Sequence, residues 1–282
     1  MKCPRFSIAK AGGLTVLALA LGVAGQAVAQ VYTLTDLNSI ARIDPYSQRG
    51  MFDWSVEGQN QLYQQWFWYR IGDNGPEASI NNISTPVVTP IDSRSISLAY
   101  SSQSYSVEIN YLLTGGAAGS RVSDILETIR ISNLGTTALS MHFFQYSDFN
   151  LQGSAGNDVV GLGRNLRQLF NEAWQHDAGL PAGQGLTETV TTPGASHGEV
   201  GLGTFTIDRL NDGLPTVLND GMGALGPGDV TWALQWDLSI APGASVVISK
   251  DKNVFVSVIP EPSSFALLSL GLISLALRKR RA

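Results

Sequence analysis

The side chains able to do chemistry are few and scattered. His142, His176 and His197 are the only histidines in the 282-residue chain, and they match no HxH, HxxxH or HExxH spacing. A metal site would need the fold to gather them. His142, whose same-face neighbours in a strand are Phe144 and Tyr146, reads better as a structural residue. Asp148, Asn150, Asn157 and Asp158 cluster around Gly153 and Gly156, an oxygen-rich loop of the kind that holds calcium weakly outside cells. No D-x-[DN]-x-[DN]-G run is present, so turn-forming Asx side chains are the better account, and calcium is the one cofactor with any support. Trp66 and Trp68 stand two apart and share one face of a strand, with Phe67 and Tyr69 on the other, and Trp232 and Trp236 pair in the same way. Exposed, Trp66 and Trp68 would stack on sugar rings; inside a sandwich they would fill the core.

No Gly-x-Ser-x-Gly elbow, Walker loop or dinucleotide fingerprint occurs. Gly161-Leu162-Gly163-Arg164-Asn165 begins like the last of these but lacks the final glycine and the βαβ setting. Carboxylates are abundant, yet nothing selects the facing pair that a glycosidase uses. Asn82-Ile83-Ser84 fits the glycosylation sequon, a pattern common by chance. The chain is therefore expected not to be an enzyme.

These residues need a scaffold, and the local pattern is strand-like. Gln61–Ile71, Ser95–Tyr100, Ser104–Leu113, Asp124–Ser132, Ala138–Phe149, Thr204–Ile207, Val230–Ile240 and Ser245–Ser249 alternate with period two and are rich in β-branched and aromatic residues. Turn signals separate them: Gly-Asp-Asn-Gly from 72, Gly-Gly-Ala-Ala-Gly from 115, Asn133-Leu134-Gly135 and Ala241-Pro242-Gly243. Helix is expected only over Arg164–Trp174, with one turn at Ile207–Asn211. The fold class is all-β, an antiparallel β-sandwich of Ig-like or jelly-roll-like kind. Ile129 to Phe149, strand then turn then strand, and the run Ile240 to Ser245 both resemble segments of secreted Ig-like sandwiches.

Charge and cysteine content narrow the function classes. Of the 18 basic residues, seven sit in the two ends, leaving eleven against twenty-two acidic ones between them. Such a domain lacks the basic surface that nucleic acid requires. Cys3 is the only cysteine, so no disulfide or thiolate site is available to the domain, which must stand on its core.

The ends are addresses. Lys2, Arg5 and Lys10, an apolar run from Leu14 to Ala24, and Ala27-Val28-Ala29 are the three parts of a secretory signal peptide over residues 1–29, cut after Ala29. This implies the Sec translocon and signal peptidase as partners, and makes 30–257 the secreted domain. At the other end stand Pro260-Glu261-Pro262, an apolar segment through about 264–277, and Arg278-Lys279-Arg280-Arg281. The prolines keep the motif extended, as a protease cleft requires. The basic residues stop transfer and stay cytoplasmic. Thirteen residues from Phe265 to Leu277 make only about 20 Å of helix against a bilayer core of about 30 Å. A transmembrane helix that short is a poor permanent anchor, which favours processing.

This tail resembles the PEP-CTERM sorting signal of Gram-negative bacteria. The resemblance implies an exosortase-like transpeptidase as partner, a transient stay in the inner membrane, processing at Pro260-Glu261-Pro262 and final residence at the cell surface or outside the cell. It implies a structural or binding component of an exopolysaccharide or biofilm matrix. A secreted polysaccharide-active hydrolase or lyase is the alternative.

Overall fold

Long alternating segments separated by Gly- and Asn-rich turns can only bury their apolar halves by pairing and stacking, and they do so here. The computed structural model describes residues 30–181 and 183–256. The first strands are β1 (Tyr32–Asp36), β2 (Ser39–Asp44), β3 (Gly50–Val56), β4 (Gln59–Asn60), β5 (Leu62–Ile71), β6 (Ala78–Ser79), β7 (Val87–Pro90), β8 (Ser95–Ser101) and β9 (Tyr105–Gly115). They are followed by β10 (Val122–Asn133), β11 (Leu139–Phe149), β12 (Asp158–Arg164), β13 (Phe170–Asp177), β14 (Gly185–Thr192), β15 (His197–Leu202), the helix α1 (Phe205–Asn211), β16 (Gly223–Gly228), β17 (Val230–Ile240) and β18 (Ser245–Phe255).

Two nine-stranded sheets result. One runs β1-β2-β3-β5-β11-β17-β15, with β4 and β6 hydrogen-bonded to β3 and β5; the other runs β16-β12-β13-β14-β18-β10-β9-β8-β7. Pairing is antiparallel except for a short parallel contact of β3 with β5 at Gln65. The antiparallel β-sandwich expected from the sequence is present, with about twice the strands of an Ig domain. The four turn signals lie where hairpins or strand connections need them: after β5, between β9 and β10, between β10 and β11, and between β17 and β18.

Two local expectations are corrected. Arg164–Trp174 is not a helix: Asn165 Oδ1 accepts from the amides of Arg167 (2.9 Å) and Leu169 (3.2 Å), closing a turn that pairs β12 with β13. An Asx turn competes with helix by satisfying the amides that a first helical turn would leave free. Thr204–Ile207 is not a strand but the entry to α1, where Thr204 Oγ1 donates to Asp208 Oδ2 at 2.7 Å. The expected turn at Ile207–Asn211 lies within this helix.

Alternation decides what lies between the sheets. Phe67 of β5 and Phe143 of β11 stack at 5.5 Å, and Phe149 stacks on Trp232 at 5.3 Å, all fully buried. Ile125, Ile129, Ile109, Leu98 and Ile248 are buried from the second sheet. Each such side chain contributes roughly 1.5–3 kcal/mol by leaving water. Among the described residues no helix is long and apolar enough to cross a membrane. The expected signal-peptide and transmembrane helices fall outside the described residues.

Candidate functional site

The first sheet is buried on both faces, and its outer face carries the polar chemistry. Residues of β5, β11 and β17 that point away from the second sheet would be exposed if the chain between β15 and β16 did not cross them. Four buried polar side chains hold that crossing segment down. Arg70 donates to Thr216 O (2.7 Å) and pairs with Glu77, which accepts from the Thr216 amide at 2.9 Å. Gln235 Oε1 accepts from the Leu218 amide at 3.0 Å, and Glu199 accepts from the Asn219 amide at 2.9 Å while pairing with Arg209. Polar residues at core positions here hydrogen-bond to the backbone of the strap, which takes up part of the bonding capacity of each.

Beside the strap lies an open groove of about 780 Å³, lined among others by Phe52, Tyr63, Gln64, Asn150, Asp208 and Asn211. Tyr63, at 62 % exposure, stands on β5 just before the strand becomes buried, so its ring faces solvent at the groove. Arg49 packs its guanidinium 3.5 Å over the Phe52 ring, leaving the other side chains around it mainly amides. Gln64 donates to Gln48 O at 2.5 Å, and Asn211 accepts from the buried Trp68 indole at 3.1 Å, so two lining amides are held in place. Aromatic faces beside fixed planar amides and a single carboxylate suit a ligand with apolar CH faces and many hydroxyls.

At the far end of the strap, three neighbouring strands bring together residues distant in sequence. His142 Nδ1 of β11 lies 2.6 Å from Asp237 Oδ1 of β17, and its Nε2 lies 3.3 Å from Asp73. His197 of β15 places Nε2 3.3 Å from Asp237 Oδ2 and Nδ1 3.1 Å from Asp220, which also pairs with Arg164 at 3.3 Å. Partial burial opposes the charge on Asp237, but hydrogen bonds from Gln235 and His142 and the two imidazoles hold its carboxyl below the usual range. An ionised carboxylate clamped between two imidazoles fixes their orientation.

The structure separates the residues that the sequence singled out. Trp66 and Trp68 share a face as expected, but both are fully buried, with indole nitrogens spent on Ser79 (3.0 Å) and Asn211. They are not a sugar platform, because the strap and the segment after β6 cover the outer face on which they stand. Trp232 and Trp236 are buried as well. His142 and His197 do meet, through Asp237, while His176 stacks on Trp174 at 5.6 Å in the other sheet. Of the calcium candidates, Asp158 Oδ2 accepts from the Leu151 amide and from Gln175, and Asn157 donates to Asp177 at 3.0 Å. Burial pushes Asp148 and Asp158 up to about 7, aided by Asp229 beside the first and by Asp177 and Asp148 beside the second. Among the described residues no group of three His, Cys, Asp or Glu is placed to hold a metal ion. The exposed Tyr63 was visible only as one position in an alternating strand, and Asp237 and Asp220 carried no motif at all.

The decisive comparison concerns the tail, because residues 258–281 match the family described as the PEP-CTERM protein-sorting motif. The chain ends in a PEP-CTERM sorting motif. It includes Pro260, Glu261, Pro262 and Arg278 to Arg281, which with Ala27 and Ala29 lie outside the described residues. A chain bearing this sorting motif is exported, passes through a membrane-associated sorting step with an exosortase, and is delivered to the surface. No curated protein matches the sequence. Among solved structures, a bacterial glucoamylase complexed with acarbose is 9% identical over 86% of this chain, with a TM-score of 0.57. The chain spans 34% of that enzyme's length. A candidate aldose 1-epimerase from Escherichia coli K12 is 11% identical over 80% of this chain and 98% of its own, with a TM-score of 0.53. At these identities the likeness is one of fold.

Proposed function

We propose that residues 30–257 form a polysaccharide-binding component of the extracellular matrix, engaging sugar through the groove beside Tyr63. Sec export and signal peptidase deliver the domain, and the exosortase acts at Pro260-Glu261-Pro262 while the apolar segment holds the chain in the inner membrane of a Gram-negative cell. The groove carries this reading: an exposed tyrosine beside anchored amides, on an acidic domain that repels its own copies and anionic nucleic acid. The fold is also shared with a glucoamylase and a candidate aldose 1-epimerase.

Affinity electrophoresis through gels containing the cell's own exopolysaccharide tests it. Tyr63→Ala is expected to weaken retardation by about 5–30-fold, equivalent to about 1–2 kcal/mol of lost stacking, with the melting temperature unchanged. Equal retardation of wild type and variant overturns the groove assignment. A second reading, a polysaccharide hydrolase or lyase, is favoured by the His142–Asp237–His197 cluster, whose imidazoles could serve acid–base roles. Release of reducing or unsaturated ends from the same polysaccharide, lost in His197→Ala, would establish it over binding alone.

A further inference from the structure

Four charged side chains meet between the sheets with 0% of their surface exposed: Glu127 of β10, Glu188 of β14, and Lys250 and Lys252 of β18. The ladders set Glu127 beside Lys250 and Glu188 beside Lys252, so alternation turns all four inward. Gln145 reaches them from β11 in the opposite sheet. Its Nε2 donates to Glu188 Oε2 at 2.7 Å and to Ser147 Oγ at 2.9 Å, while its Oε1 accepts from Lys250 Nζ. Lys250 Nζ also lies 2.5 Å from Glu127 Oε2, 3.6 Å from Glu188 Oε1 and 5.0 Å from the Phe67 ring centre.

Ion pairing alone explains this arrangement poorly. A sealed ion pair repays its desolvation only when hydrogen bonds complete it. Both lysines crowd onto Glu127 at 2.5 Å each, while Oε1 of Glu188, 3.6 Å from Lys250 Nζ, completes none. The lysines also differ. Burial and the neighbouring Lys252 charge push Lys250 down, whereas Lys252, although burial opposes its charge, is held up by Glu127 and Glu188. A desolvated amine is a nucleophile, and this one touches a carboxamide whose nitrogen already rests on a carboxylate.

We propose that Lys250 and Gln145 form an intramolecular isopeptide bond that staples the two sheets. Lys250 Nζ gives one proton to Glu127 and attacks Gln145 Cδ, forming the Nζ–Cδ bond. Glu188, in reach of both nitrogens, carries a second proton from Nζ to Nε2. The Cδ–Nε2 bond breaks and ammonia leaves; the third proton remains on the new amide. The net charge of the cluster is unchanged, because Glu127 gains the proton as Lys250 loses its charge. Folding supplies the proximity that makes the step unimolecular. The bond closes a loop between positions 105 apart.

Tryptic mapping of the intact folded chain, denatured after isolation, reads this directly. Residues 131–164, which contain Gln145, are expected joined to residues 210–252, with trypsin unable to cut after Lys250. The joined mass should fall short of the two peptides by about 17 Da, the mass of ammonia. Recovery of separate, unmodified peptides with cleavage after Lys250 overturns the proposal, and residues 210–252 found joined instead to residues 122–130, with a deficit of about 18 Da for lost water, would overturn Gln145 as the acceptor in favour of Glu127. Glu127→Gln keeps the side-chain volume and is expected to lower the joined fraction at least tenfold in protein that remains folded by circular dichroism. An undiminished joined fraction overturns the step through Glu127.

Discussion

Between the sheets, Glu127, Glu188, Lys250 and Lys252 are shut away from water, whereas on the outer face His142, His197 and Asp237 keep 14%, 29% and 36% of their side-chain surface. Both clusters pair acids with bases across neighbouring strands. In the first, every charge must be answered by another within the fold, since no solvent can do so. In the second, the open edges of two imidazoles and a carboxylate remain available to whatever approaches. The contrast assigns the interior charges to the integrity of the sandwich and leaves ligand chemistry to the outer face, where the strap leaves the Tyr63 groove uncovered.

The largest expected effect comes from unbalancing the sealed cluster. Glu127→Ala leaves two buried lysines against one carboxylate and should cost about 3–5 kcal/mol, read as a lower urea midpoint. A midpoint within error of wild type would erase the distinction between the clusters. Trp66→Ala should cost a similar 3–5 kcal/mol while leaving polysaccharide retardation intact, since this indole is core and not platform.

An intermediate case sharpens the comparison, because Asp148 and Asp158 are buried with no cationic partner among the described residues. Burial and neighbouring carboxylates raise both from 3.8 to about 7. The folded chain thus holds protons that the unfolded chain releases. The stability these groups contribute is full below about pH 4 and is lost as pH rises through about 7. Thermal melts from pH 8 down to pH 5 should show a rising midpoint, at most about 1.4 kcal/mol per pH unit for each group. Asp148→Asn should flatten that slope, and an equally steep slope in the variant would count against the assignment. The smallest effect is expected at the exposed cluster: His142→Ala should change stability by less than about 1 kcal/mol in the same urea titration.

Much of the sheet content was legible because burial on one side of a strand imposes period two, and β5, β8 to β11 and β17 were readable to within about two residues at either end. The strands β1 to β3 and β12 to β16 were not: β3 breaks alternation, and glycines interrupt β12 and β16, which leaves little periodic signal there. The helix expected at Arg164–Trp174 failed because a single Asn165 side chain closed a turn there. Of the candidate site, His142 and His197 were named, but their partner Asp237 could not be, because strands that adjoin in the sheet are far apart in the chain.

By itself, the sequence determined delivery and class. A PEP-CTERM motif and a β-rich, cysteine-free domain are local properties, written in neighbouring residues. Only the tertiary structure decided that Trp66 and Trp68 are buried, that Tyr63 is the exposed ring, and that Lys250 meets Gln145. Each of these depends on which segments cover or face one another across two sheets. That is a matter of long-range packing, and no spacing along the chain encodes it.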